Sequence, residues 1–244
     1  MVPRVFVDLP LTAGSTIALP ERAAHHVATV LRGRVGDALT LFNGLGGEFS
    51  GRLVALEKRR VLVELLAQHA IEREAGLQIT LAQGLPQGDK MDWVVQKATE
   101  LGVAQIVPLE TATTLVRLRG ERAEKRAIHL HQVAIAACEQ CWRNRIPGVT
   151  AVQPLSQFLQ QAAKPGAQLV LDPEASLSLP AWVAAHRPVA VTLLVGPESG
   201  LTTAEIALAG QRGFVPVSLG HRVLRTETAG LAAVAAILTI CNAW

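Results

Sequence analysis

The chain has 244 residues, half of them hydrophobic, which is enough for one large core or two modest ones and excludes a disordered tail. A net charge of +3 is too mild to define a partner by itself, and three cysteines, an odd number, exclude a disulfide framework. The start MVPRVFVDLP lacks a signal-peptide pattern, and the apolar stretch 229–240, about a dozen residues, is too short to span a bilayer, so a cytoplasmic globular protein is expected.

The first 70 or so residues read as short strands separated by Gly, Pro or charged turns: 5–9, 15–20, 37–44, 48–57 and 59–68. One helix interrupts them, with Ala24, Val27, Ala28 and Leu31 at spacings of three and four. A small β-barrel carrying one helix is the expectation for residues 1–72. The polar run Glu72-Arg73-Glu74-Ala75-Gly76 reads as the boundary, with a second domain over 73–244.

From Leu77 the pattern alternates. Strands are expected at 77–85, 104–110, 167–172, 190–196 and 215–220. Helices are expected at 91–101, 121–142, 155–163, 202–213 and 225–238, the fourth opening on a Thr cap with Glu205 in its first turn. Strands alternating with helices predict an α/β domain with a parallel sheet.

Several motifs fall away on inspection. Gly196-Pro-Glu-Ser-Gly200 lacks the central serine of a nucleophile elbow, since Ser199 sits one place late. The run Gly84-Leu-Pro-Gln-Gly-Asp-Lys90 lacks the Gly-Lys-Ser/Thr ending of a phosphate loop and reads as a strand-to-helix turn. Cys138-Glu-Gln-Cys141 lies inside a helical pattern with no second pair, so buried helix cysteines are expected and no metal site. Arginines and lysines crowd 117–126, and Lys58, Arg59 and Arg60 form a second cluster. These suit phosphate contact, or a solvated helix face that Glu121 and Glu124 partly offset. The absence of tyrosine argues against a base-stacking sheet.

What remains are two βα turns, LLVGPESGLTTAEI (193–206) and VSLGHRVLRTETAGLAAVAAIL (217–238). Each passes from an apolar strand through a Gly-containing corner into a helix, exposing backbone polar groups where a ligand can meet them. Gly196 and Gly200 permit close approach or positive φ, and Leu219-Gly220 repeats the pattern one strand later. Glu198, Arg222, Arg225, Thr226, Glu227 and Thr228 stand beside them in an otherwise apolar context, which points to a cofactor site.

At these residues the chain resembles the SPOUT-class RsmE-type 16S rRNA (uracil-N3) methyltransferases. HHVATVLRGRVGD, QKATELGVAQIVPLET and CEQCWRNRIP follow in the family's order, so the resemblance covers nearly the whole chain. It implies a PUA-like β-barrel for RNA, then a SPOUT α/β domain with a deep trefoil knot. It also implies a homodimer acting on the 16S rRNA of the small ribosomal subunit, with S-adenosyl-L-methionine held in the knot by backbone groups. The residues mapping onto the cofactor loops are Leu171 and Asp172, then Gly196, Pro197, Glu198 and Gly200, then Leu219, Gly220, Val223, Leu224 and Arg225. RNA contact is expected at Arg4, Arg32, Arg117, Arg119 and Arg143. The family usually carries Gly where this chain has Ser199, a change that costs backbone energy only if that residue needs positive φ.

The chemistry assigns further roles. Uracil N3 is largely protonated at neutral pH, so its methylation needs a proton acceptor and a cation for the charge that spreads onto the carbonyl oxygens. Arg225 or Arg222 is the expected cation, and Glu227 or Glu198 the expected base, with Glu198 otherwise bracing its loop. The rival reading is a non-catalytic RNA-binding or ribosome-assembly protein that keeps the fold.

Overall fold

The computed structural model describes residues 2–57, 60–115, 119–161 and 166–244. The chain divides into two compact units: Met1–Glu74 with Cys138–Ile146, and Ala75–Ala137 with Pro147–Trp244. Each is described by itself.

In the first unit, period-two alternation builds a five-stranded sheet. Its strands are β1 (Arg4–Phe6), β2 (Thr16–Ala18), β3 (Ala38–Phe42), β4 (Glu48–Glu57) and β5 (Arg60–His69), in the order β1-β3-β4-β5-β2. Only β1 and β3 run parallel. Val61, Val63 and Leu65 of β5 point inward with Leu39 and Leu41 of β3, and bulges near Gly51 and Leu53 bend the long β4–β5 ribbon. Among the described residues the pairings run from β1 to β2 without closing a ring. Helix α1 (Glu21–His25) continues as a π turn over His26–Val30, and Ala23 and Val27 enter the same core.

Residues Cys138–Ile146 belong to this unit because its polar groups need them. The unpaired edge of β1 is met by Glu139, whose carboxylate accepts from the Phe6 N–H at 2.9 Å. Asn144 donates to Ile71 O at 2.6 Å and accepts from Arg4 at 2.6 Å. Arg4 also pairs with Glu48 at 2.7 Å and lies over the Phe42 ring. Arg73 reaches Glu48 at 2.9 Å, and Arg143 pairs with Glu74 at 2.5 Å. Burial works against the Glu48 carboxylate, but hydrogen bonds from Arg73, Arg4 and Asn144 outweigh it and hold its pKa down at about 2. Two expected RNA contacts are corrected here. The Arg4 and Arg143 side chains are only 6% and 4% exposed, and terminal guanidinium nitrogens of both are engaged inside the unit. A buried cation of this kind is retained by its partners, and removing one partner costs about 3–5 kcal/mol.

Cys138 faces the same interior. Burial pushes its thiol up to about 12, which keeps it protonated, as suits a packing residue.

In the second unit the period lengthens and the sheet becomes parallel throughout. Its strands are β6 (Gln78–Gly84), β7 (Gln105–Glu110), β8 (Gly148–Val149), β9 (Gln153–Pro154), β10 (Ala167–Leu171), β11 (Ala190–Val195) and β12 (Val215–Val217). They are ordered β12-β10-β11-β6-β7-β8, with β9 also on β7. β11 is central and apolar, buried from Val191 to Val195, as a strand covered on both faces must be. The helices are α2 (Lys90–Glu100), α3 (Glu121–Cys141), α4 (Leu155–Gln160), α5 (Leu179–His186), α6 (Thr203–Gln211) and α7 (Thr226–Cys241). Helix α7 buries Gly230, Ala233, Val234, Ile237 and Leu238 and packs against α2, α5, β6 and β11.

The sequence pattern missed α5, which Ser178 starts by accepting from Ala181 N–H at 3.3 Å with Pro180 in the first turn. It extended β12 to 220, but pairing with β10 stops at Val217, Ser218 adds a lone bridge to Ser178, and the chain then turns away from the sheet. Of the expected helix 155–163, residues 162 and 163 lie outside the described residues. No described helix is long and apolar enough to cross a membrane.

Candidate active site

All strands of the second sheet are parallel, so their carboxyl ends share one side, where ligands of open α/β sheets bind. A crevice of about 810 Å³ opens there. It gathers Leu171 and Asp172 after β10, Gly196, Pro197, Glu198 and Gly200 after β11, and Val223, Leu224 and Arg225 before α7. Glu227 of α7 and Lys90 of α2 complete its wall. A small recess of about 50 Å³ shares Leu171, Asp172 and Leu224 with it and adds Leu219, Gly220 and Arg222. The expected cofactor residues therefore meet around two adjoining hollows, although they come from three separate loops. Arg222 lines the recess and not the crevice.

Glycine makes the β11 corner possible. A Cβ on Gly196 would lie 2.9 Å from the backbone of Gly200 and Leu201, and Gly200 itself has φ +70°. The Gly200 N–H closes the turn onto Pro197 O at 2.9 Å. Ser199 is not among the described residues with positive φ, so its serine carries no left-handed penalty.

Beneath the corner lies a buried clamp. The Gln83 amide, at the end of β6, donates to Thr226 Oγ1 at 2.8 Å, and Thr226 donates to Gly196 O at 2.6 Å. One hydrogen-bonded chain thus ties β6, the β11 corner and the first residue of α7. On the far side Thr113 donates to Gly200 O at 2.9 Å, and Ala112 N–H donates to Glu205 at 2.8 Å. Glu205 also completes a capping box with Thr202, so one carboxylate starts α6 and fixes the neighbouring loop.

The two candidate bases are placed differently. Glu198 accepts from Gln87 N–H at 3.0 Å and Lys90 Nζ at 2.9 Å. Burial pushes its pKa up, yet those hydrogen bonds and the lysine charge prevail and hold it below the usual carboxylate value. It is suited to bracing its loop. Among the described residues Glu227 Oε2 is buried with no hydrogen-bond partner, and it forms only a long ion pair with Lys90 Nζ at 3.8 Å. An orphaned acceptor on a crevice wall is costly unless a ligand or a transferred proton completes it.

Arg225 forms the N-cap of α7, its carbonyl accepting from Thr228 and Ala229 N–H at 2.9 and 2.8 Å. Its side chain and that of Arg222 are exposed and form no ion pair among the described residues. Arg32 is exposed with φ +53° in the first unit, and Arg119 grips Glu110 at 2.8 and 2.7 Å in the second. Arg117, Lys58 and Arg59 lie outside the described residues.

The sequence reading passed over Lys90, Gln83 and Gln87. Their signal was positional: Gln83 lies at the carboxyl end of parallel strand β6, and Gln87 and Lys90 follow in the run read as a plain strand-to-helix connection.

Comparison with known proteins agrees with this architecture. Residues 73–238 match the family described as RNA methyltransferase domain, and residues 19–66 match RNA methyltransferase PUA domain. The ribosomal RNA small subunit methyltransferase E of Bacillus subtilis is 32% identical, over 96% of this chain and 95% of that protein. A Legionella pneumophila protein solved with bound SAM superposes with a TM-score of 0.92 at 37% identity, covering 98% of both chains. The Neisseria gonorrhoeae ribosomal RNA small subunit methyltransferase E, solved bound to S-adenosyl methionine, gives 0.90 at 37% identity over 98% of both. A PUA-like unit, a parallel α/β unit with its crevice at the strand ends, and likeness over almost the full length lead to one family. The chain belongs to the ribosomal RNA small subunit methyltransferase E family of RNA methyltransferases.

Proposed function

We propose that this chain methylates N3 of a specific uridine in 16S rRNA of the small ribosomal subunit, using S-adenosyl-L-methionine. The observation that carries the reading is Glu227: a buried carboxylate oxygen, without a hydrogen bond among the described residues, on the wall of a crevice bounded by tight glycine corners. The volume of about 810 Å³ lies within the usual range for a nucleoside-sized ligand. Leu171, Asp172, Gly196 to Gly200 and Leu219 to Arg225 would hold the cofactor, largely through main-chain polar atoms. When bound, it supplies an electrophilic methyl group on a sulfonium sulfur.

The chain's own residues do the rest. Glu227 accepts the proton that N3 must lose, and Arg225 balances negative charge on the uracil carbonyl oxygens, with Arg222 at the adjoining recess gripping RNA phosphate. Lys90 keeps Glu198 in its bracing role and adds positive charge at the crevice mouth. The PUA-like unit offers exposed Arg32 to RNA, and Arg119 lies on the surface of the methyltransferase unit.

The domain roles follow: residues 1–72 serve RNA binding and 73–244 serve methyl transfer, apart from Cys138–Ile146, which complete the first unit, and the rRNA substrate implies the cytoplasm. A trefoil knot is supported by the return path of the chain. It leaves β12 at the sheet edge, runs through 218–225, and re-enters as α7 against central β6 and β11. A homodimer is expected from the family resemblance. Relatives solved with bound methyl donor favour this catalytic reading over a non-catalytic assembly factor.

Isothermal titration with S-adenosyl-L-methionine, followed by mass-spectrometric mapping of 16S rRNA from a deletion strain, tests the proposal. One uridine should lose a single methyl group in the deletion and regain it on complementation. Absence of donor binding, with rRNA association retained, would replace the enzyme by the assembly factor.

A further inference from the structure

A second hollow, of about 270 Å³, uses Pro197, Glu198 and Ser199 as a wall that it shares with the crevice. Its remaining sides come from the turn between β6 and α2 and from the loop after β7. Leu85 and Pro86 form a buried apolar floor, and Leu115 stands exposed at the rim. The rest of the lining is mostly polar, with Asp89, Thr114, Glu198 and Ser199 beside Gln87, Thr113 and Arg126. Gln87 is exposed, and Arg126 is held by Asp92, with Nη2 2.9 Å from Oδ1 and its side chain 22% exposed. Thr113 is committed to the β11 corner.

This combination matches a pyrimidine base. A uracil ring has two apolar faces, which suit Leu85, Pro86 and Pro197, and an edge carrying two carbonyl oxygens, which needs donors. Enzymes that modify a base draw it out of its strand into such a pocket, stacking its faces and reading its edge. The hollow is smaller than typical whole-ligand sites, so it suits one base and not the nucleoside donor. A wall common to both hollows brings their occupants together along one strip of chain. Lys90 lies at that seam, its ammonium 2.9 Å from Glu198 on the common wall and 3.8 Å from Glu227.

We propose that this hollow receives the target uracil, extruded from the rRNA, with Gln87 and Arg126 holding one carbonyl oxygen and Lys90 orienting N3 and the other carbonyl towards Glu227 and Arg225 at the crevice. The inference rests on the methyltransferase reading above and adds where the base sits.

The test uses the full-length protein, S-adenosyl-L-methionine and an rRNA fragment carrying 4-thiouridine at the methylated position. After long-wave ultraviolet irradiation, adducts should map to peptides containing residues 85–89, 113–115 or 126. Adducts confined to other peptides, or none above an RNA lacking the thiouridine, overturn the proposal. In parallel, Leu115→Trp and Gln87→Trp fill the hollow from its exposed rim. Turnover should fall about fiftyfold or more, while rRNA affinity, dominated by phosphate contacts, changes no more than about threefold. Donor affinity, measured by titration, should be unchanged, which also reports a folded crevice. Wild-type turnover in both filled variants overturns the subsite alone, since the crevice reading survives it. A wild-type protein that binds no donor overturns both readings together.

Discussion

Arg4 opens strand β1 and Arg225 caps helix α7, yet the two arginines do opposite work. The Arg4 side chain is 6% exposed and lies within 2.7 Å of both Glu48 and Asn144. Arg225 is exposed at the crevice, with no ion pair among the described residues. The first unit thus buries Arg4, Arg143 and Glu48 among one another's partners, with only the Arg4 Nε of that cluster left without a hydrogen bond among the described residues, whereas the second leaves Arg225 open and Glu227 Oε2 without a hydrogen bond at the crevice. A saturated buried charge holds structure together because any change leaves its partner stranded. An unsaturated charge at a crevice retains its capacity for a ligand.

The comparison breaks most sharply through substitutions on each side. Arg225→Ala should lower single-turnover methylation on the order of a hundredfold or more, the scale of about 2.7–4 kcal/mol for losing one charge-stabilising donor. Donor affinity and urea stability should stay near wild type, because the cap at Arg225 uses its backbone carbonyl. Wild-type turnover in this variant removes the proposed role. Arg4→Ala should do the reverse. Unfolding free energy of the first unit should drop by about 3 kcal/mol, the low end for a broken buried pair because Arg73 and Asn144 still reach Glu48. An Arg4→Ala protein of unchanged stability and impaired RNA binding would return Arg4 to the RNA surface.

Acid sharpens the same contrast. Glu48 ionises at about 2 in the folded chain against an ordinary 4.5, so the folded state favours its charged form. Its stabilisation is present above pH 4.5 and is lost as pH falls from there through about 2. At about 1.36 kcal/mol per unit this amounts to about 3 kcal/mol. Urea midpoints across that window should fall steeply in the wild type and less so in Glu48→Gln, which starts lower.

The smallest effect belongs to Ser199→Gly. Ser199 has no positive φ, so glycine relieves no strain and only loosens the unfolded chain, lowering stability by about 0.4–1 kcal/mol. A stabilising change in thermal denaturation would mean that the corner is strained at that residue.

Much of this architecture was legible along the chain. Period-two alternation over 38–69, the continuous apolar run of β11 and the Thr202 and Glu205 start of α6 each carry a local physical signature, and each element forms where expected. The glycine corners were equally visible, because Gly196 and Gly200 answer to backbone geometry a few residues away. Helix α5 was lost because its capping serine and proline sit in a stretch whose apolar spacing is weak.

Sequence alone, then, determined most of the order of elements, the change from short alternating strands to strands alternating with helices, and the corners that bound the crevice. All of these follow from steric and hydrophobic preferences acting over a few neighbours. Tertiary structure decided what each charge does. Arg4 meets Glu48 44 residues away and Asn144 140 away, and Lys90 meets Glu198 108 away. The cost of a charge depends on the water and partners around it, and for these residues both are supplied by distant parts of the chain.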